Sequence, residues 1–221
     1  MLRTMIVYWT KLSSYSAKLR IACALKGLAP ELRFPPDGNY RSEAYRRIVP
    51  LATVPALVDG DMVLSESDAI IEYLDESFPS PSLLPGTARQ RARIRFLSRF
   101  HDLHLEPPLR ALFAQAAPST RDAALIAARG DAFAQRLAVL ETLLDATGPF
   151  AAGPAATLAD CGFPPTLAIA DGLLEMLGRP PAYGPRTLRW RDALAADARI
   201  ESVMAPYRAE VAAWLAAKAD A

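Results

Sequence analysis

The chain has 221 residues, 52% of them apolar and 22% charged, with a formal net charge of +1. That length holds one large domain or two small ones around a core of useful size, and the composition is globular. A charge this near zero gives no electrostatic basis for binding nucleic acid or an anionic membrane, no apolar run approaches the ~18 residues that span a bilayer, and the apolar part of "MLRTMIVYWTKL" is too short for a secretory leader.

In chain order, "TMIVYW" (4–9) is rich in β-formers and reads as a buried strand. Residues 14–26 have helical character, with Ile21 and Leu25 on one face and Gly27 placed to stop the helix. "ELRF" (31–34) alternates like a strand and is halted by Pro35-Pro36, and "GNYRSEAYRRI" holds a short helix. "PALVDGDMVL" (55–64) is a hairpin around an Asp-Gly turn. In "SESDAIIEYLDESF", Ser65 is the expected N-cap and Ile70, Tyr73, Leu74 and Phe78 form an apolar stripe. The order β-α-β, helix, β-β-α predicts a small mixed sheet whose first crossover is parallel and right-handed.

"PSPSLLPG" (79–86) is a linker by composition, and strand signals vanish after it. The expected organisation is an α/β domain over 1–79, a linker over 80–87 and an all-α domain over 88–221. Helices are expected near 88–105, 107–116, 119–145, 158–177, 187–196 and 200–217. Pro164-Pro165 conflicts with an unbroken helix there, because an interior proline costs about 3 kcal/mol, so a kink or a later start is expected.

Three stretches can carry chemistry. Ser13 and Ser14 stand where the first strand delivers the chain to a helix N-terminus. One serine suffices as a cap, and the second can donate a hydrogen bond to an anion held at the helix end. Val54-Pro55 opens the hairpin; a trans proline starting an edge strand is the commoner case, whereas a cis bond turns the Val54 amide outward to pair with a peptide-like ligand. In "SESD", the acids can simply complement the helix dipole, or Ser67 and the free N–H groups can take a ligand carboxylate and Glu66 a ligand ammonium.

Taken together, "SSYSAKLRIACALKG", "TVPALVDG" and "LSESDAIIEYLDESFP" resemble, in order and spacing, the thioredoxin-like domain of glutathione S-transferases, nearest to serine-type bacterial members of the zeta class. "TLADCGF", with Thr157 and Asp160, resembles the capping box of the family's helical domain. The resemblance implies a thioredoxin-like fold followed by a helical bundle, glutathione as co-substrate without a metal, a cytoplasmic homodimer, and a detoxifying transferase acting on a small hydrophobic electrophile lodged between the domains. By the same resemblance Ser67 meets the γ-glutamyl carboxylate, Glu66 the amino group and the Val54 backbone (before Pro55) the cysteinyl amide, which leaves the thiol at Ser13 or Ser14 beside a helix N-terminus. A free thiol titrates near 8.5, and lowering that by about two units takes ~2.7 kcal/mol, within reach of one charge-assisted hydrogen bond and a dipole.

Departures from the pattern matter. Tyr15 replaces a cysteine, which removes thiol–disulfide chemistry from the corner, and Gly172 stands where maleylacetoacetate-isomerising enzymes carry an arginine. Val49-Pro50 and Ala52-Thr53 replace polar residues, leaving Asn39 or Arg41 to supply a cysteinyl or glycyl contact. A zeta-type isomerase or dehalogenase and a non-catalytic glutathione-binding protein are the alternative functions.

Other candidates rank lower. His101 and His104, with Glu106 near, lack the further ligands a metal needs and read as polar positions near a domain interface. No GxSxG elbow supports a hydrolase. Arginines 89, 91, 93, 95 and 99 spread around their helix and read as solvated or dimer-bridging. Trp9, Leu12, Leu105 and Phe113 fit an apolar wall or the core equally well. Cys23 and Cys161 have no ligand-type spacing and read as buried thiols of a cytosolic protein.

Overall fold

The structure is a computed structural model and describes residues 5–219. The first predicted strand forms as β1 (Met5–Tyr8), with Thr4 outside the described residues. Helix α1 (Ser14–Lys26) ends at Gly27, whose φ of 67° is the left-handed geometry that glycine adopts without a steric penalty. Strand β2 (Glu31–Arg33), short helix α2 (Glu43–Arg46) and the hairpin β3 (Ala56–Asp59) and β4 (Met62–Ser65) follow. The sheet order is β2-β1-β3-β4, with β1 parallel to β2 and antiparallel to β3, and β4 antiparallel to β3.

The period of two divides the sheet's faces. Val7 and Leu57 point into the main core with α1 and the long helices, while Tyr8 and Ala56 join Tyr45 and Val49 in a second cluster under α2. The Tyr45 hydroxyl donates to the Thr53 carbonyl at 2.9 Å and so pins the segment that enters the Val54–Pro55 bond, which is cis.

Helix α3 (Ser67–Ser77) starts later than expected. Ser65 is not its cap, because the pairing of Ser65 with Ala56 keeps it in β4. Glu66 takes the N-cap place with φ 68° and ψ 112°.

The rest of the described chain is helical: α4 (Ala88–Phe100), α5 (Glu106–Arg110), α6 (Ala123–Leu143), α7 (Leu158–Cys161), α8 (Phe163–Met176), α9 (Pro185–Ala196) and α10 (Ala198–Ala219), with short 3-10 turns at Phe113–Gln115 and Pro118–Thr120. Three expected helices are divided, and the one expected over 107–116 stops at Arg110 and is followed only by the 3-10 turn at Phe113–Gln115. The stretch expected as one helix over 88–105 widens into a π turn at His101–Leu105 just before Pro107-Pro108, whose missing N–H groups cannot continue the α ladder. At Gly162 the helix expected over 158–177 breaks, and Pro164-Pro165 fall in the first turn of α8, where proline is tolerated. Helix α1 packs on α3, α8 and α10, so the bundle closes directly over the helix that follows the serines.

The connection from α3 to α4 is clamped by one buried ion pair. Lys26 Nζ donates to Asp75 Oδ1 at 2.6 Å and to the Pro81 carbonyl at 2.7 Å. Asp75 also accepts from the backbone N–H groups of Leu83 (2.6 Å) and Leu84 (3.2 Å) and from the Ser82 hydroxyl (2.8 Å). Burial raises the Asp75 pKa, but the Lys26 and backbone hydrogen bonds outweigh it and hold the carboxyl below its usual value. The clamp therefore stabilises fully above the unfolded carboxyl pKa of ~3.9 and fades as pH falls through the lower folded value. Asp75→Ala leaves Lys26 buried without its partner, and urea unfolding at pH 7 should show a loss of about 3–5 kcal/mol. The gap to wild type should narrow below about pH 4; a gap independent of pH would contradict this account.

Candidate active site

A cleft of about 310 Å³ opens where α3 begins. Val54, Pro55, Glu66 and Ser67 line it together, so segments read separately in the sequence meet around one space. Ser67 is buried at the first position of α3, where the helix presents free N–H groups, and Glu66 is exposed at its rim. Glu66 holds a positive φ that non-glycine residues rarely adopt, a form of strain that concentrates at ligand sites. Asn39 and Arg41 are exposed before α2 and lie outside this lining.

The serines stand one step away. Tyr15 lines the cleft, whereas Ser13 and Ser14 are absent from its wall. Ser13 is the N-cap of α1, and its Oγ accepts from the Ser16 amide at 3.1 Å. Capping uses an oxygen lone pair, so the Ser13 O–H remains available to donate. Ser14 is only 2% exposed and accepts from Arg110 Nη2 at 3.2 Å. Arg110 is ion-paired with Glu106 one turn earlier, and Tyr15 Oη donates to Glu106 Oε2 at 3.3 Å. Burial first, then the charges of Glu106 and Asp102, push the Tyr15 phenol well above its ordinary value, so it remains a neutral O–H donor.

Beyond the serines, Phe113 faces Trp214 of α10 at 5.5 Å, and the Leu12 carbonyl accepts from Tyr207 at 3.3 Å. Arg110 stands 5.3 Å from the rings of both Tyr15 and Phe113. Leu105 belongs to the core at 0% exposure, Trp9 stacks on Phe34 at 5.0 Å, and Trp9, Leu12, Phe113 and Trp214 all pack against that core. At Gly172 a Cβ would run into the Leu215 Cδ1 of α10, so a longer side chain there requires the leucine tip to turn aside.

Sequence reasoning missed the bundle's contribution to the cleft: Arg99, Asp102 and Leu103 line it too. Lys18, fully buried, reaches Asp68 Oδ1 at 2.6 Å and both Asp102 oxygens at 2.8 Å. Ser98 donates to Asp68 at 2.9 Å. His101, 1% exposed, contacts Asp102 through Nδ1 at 2.6 Å and Thr166 through Nε2 at 2.7 Å. His104 is exposed beside Phe100, and among the described residues no group of three or more acidic, His or Cys residues is placed to hold a metal. The available signal was Lys18 itself, which shares the helix face of Ile21 and Leu25, where a charge must be paired.

Comparison with known proteins bears on this arrangement. Residues 7–82 match the family model described as the glutathione S-transferase N-terminal domain. Glutathione S-transferase Z1 of Arabidopsis thaliana is 48% identical over 88 residues, 38% of this chain and 38% of its own length, so the chain spans well under half of that relative. Maleylpyruvate isomerase of a Ralstonia species is 35% identical over 161 residues, covering 67% of this chain and 74% of that protein. A solved maleylacetoacetate isomerase from Anaeromyxobacter dehalogenans 2CP-1, with bound dicarboxyethyl glutathione and citrate in the active site, superposes with a TM-score of 0.73 at 30% identity, over 94% of this chain and 93% of that one. Among the described residues no helix is long and apolar enough to cross a membrane.

Proposed function

The chain belongs to the glutathione S-transferase family, and from that premise we propose that it binds glutathione in the Val54–Ser67 cleft and activates its thiol against an electrophilic carbon. Ser67 and the α3 N-terminus take the γ-glutamyl carboxylate, Glu66 takes the ammonium, and the Val54 backbone pairs with the cysteinyl amide. The sulfur then reaches the N-terminus of α1, where Ser13 donates its O–H to the thiolate and Ser14 orients Arg110. Ser13 is preferred over Ser14 because Ser13 is half-buried at the helix end whereas Ser14 is almost fully buried. The thiolate attacks, a C–S bond forms, and the displaced electron pair leaves with a leaving group or is quenched by a proton. The observation that carries this reading is the convergence of Val54, Pro55, Glu66 and Ser67 on one cleft with Tyr15, the residue that follows the serine pair.

A second reading, cis–trans isomerisation of a carboxylate-bearing substrate, is favoured by Arg110. Gly172 offers no cation, but the Arg110 guanidinium stands beside Ser14 with 47% of its side chain exposed. In that reaction the thiolate adds reversibly to a conjugated C=C, the bond rotates and the thiolate is expelled. The homodimer and the cytoplasmic setting implied by the family come with either reading.

Calorimetry with millimolar glutathione should register binding. Turnover should then be followed with 1-chloro-2,4-dinitrobenzene and, separately, with a maleyl-type diacid assayed for isomerisation. Absence of binding overturns both readings, and binding without turnover of any acceptor in a broad panel favours a non-catalytic protein.

A further inference from the structure

The cleft wall holds more charge than the proposed glutathione contacts use. Two carboxylates face it, Glu66 from the sheet domain and Asp102 from the bundle, together with the Arg99 guanidinium. We propose that Asp102 is a binding residue for the ammonium group of the ligand's α-amino acid end, which Glu66 and Asp102 hold between them, one from each domain. This rests on the reading of the cleft as a glutathione site.

Asp102 is set for that role before any ligand arrives. Oδ1 accepts from Lys18 and His101, whereas Oδ2 accepts from Lys18 alone, and the side chain keeps 14% of its surface exposed. An ionised carboxylate has about four acceptor positions, so one remains on Oδ2. Lys18 is shared between Asp68 and Asp102, so Asp102 has no cation to itself. Arg99 approaches Asp68 Oδ2 only at 3.6 Å with more than half of its side chain exposed, leaving it able to turn to a ligand carboxylate. An acid pair around an ammonium and an arginine near a carboxylate complement an amino-acid zwitterion.

The backbone is shaped to present this carboxylate. The π turn at His101–Leu105 sends His101 inward to Thr166 while the next residue, Asp102, reaches the cleft. Gly162 makes the room: a Cβ there would lie 2.7 Å from His101 Nδ1. Burial raises the Asp102 carboxyl pKa, but the His101 hydrogen bond and the Lys18 charge outweigh it and keep the group ionised below its usual range.

The test compares glutathione with glutaryl-cysteinylglycine, which lacks only the amino group, by calorimetry on the full chain. Wild type should prefer glutathione by about ten- to a hundredfold, the scale of charge-assisted hydrogen bonds. Asp102→Asn should lose about tenfold or more for glutathione while leaving the desamino compound within about twofold. An equal loss for both ligands, or no loss for either, overturns the assignment. Should Asp102→Asn fail to fold, Glu66→Gln decides: a residual preference for glutathione supports Asp102, and an abolished preference overturns it. Failure of wild type to bind either compound overturns the glutathione reading itself, and this assignment with it; binding of both with equal affinity overturns the ammonium clamp alone.

Discussion

Ser13→Gly should leave glutathione bound and cut turnover about three- to twenty-five-fold at neutral pH. Glycine is chosen because it changes N-cap stability by only a few tenths of a kcal/mol, whereas alanine costs about 1 kcal/mol and would mix folding with chemistry. What glycine removes is the O–H proposed to hold the thiolate. A hydrogen bond to a charged group contributes about 1.5–3 kcal/mol, so the bound thiol's pKa should rise by about one to two units. The sign follows from the reactive form. Below the raised pKa the variant holds less thiolate and is slower; above about pH 9 both proteins are mostly ionised and the deficit closes. Absorbance of the thiolate near 240 nm and the pH dependence of kcat/KM read the same shift by two routes. Ser13→Thr, which keeps the hydroxyl, should restore most of the activity. An unchanged pH–rate profile in Ser13→Gly and in Ser14→Ala would remove both serines from thiol activation.

The largest effect on stability is expected at Asp160. The residue is fully buried, and its carboxylate accepts from the Ala151 N–H (2.8 Å), the Thr157 N–H (2.9 Å), the Thr157 hydroxyl (3.1 Å) and Trp190 Nε1 (2.8 Å). It closes the capping box of α7, ties α9 to it and holds the 151 loop. Asp160→Ala strands those donors away from water, each at about 1–3 kcal/mol, against a whole-domain stability of about 5–15 kcal/mol. Urea unfolding followed by tryptophan fluorescence should show a loss of about 4 kcal/mol or more, or no folded protein at 37 °C. Asp160→Asn, which keeps one acceptor, should fall between. A loss under about 1 kcal/mol would mean that the box is dispensable.

The two sites differ in how legible they were. Thr157 and Asp160 stand three apart before an apolar run, a pattern whose geometry closes within one helical turn. The same holds for the serine at the α1 N-terminus, for Gly27 and for the Asp59-Gly60 hairpin, all of which form as the chain order suggested. The cleft was half visible. Val54, Pro55, Glu66 and Ser67 carry local signals, but Asp102 and Arg99 sit in a helix whose composition reads as solvated. The Ser65 cap failed because strand pairing with Ala56, invisible in the local pattern, outweighed a favoured capping residue.

The sequence by itself therefore left open the start of α3 and where the breaks at His101–Leu105 and Gly162 fall, but determined the strands, the order of the elements, the thioredoxin-like sheet followed by helices, and the helix start at the serine pair. Those choices rest on hydrogen bonds and side-chain periodicity that close within a few residues of chain. Only the tertiary structure decided that Lys18 faces Asp102 across 84 positions, that Arg110 engages Ser14 across 96, and that Leu215 fills the place beside Gly172. Such pairs are selected by the requirement that a buried charge find a partner once α1 is enclosed by the bundle, and that enclosure exists only in the assembled fold.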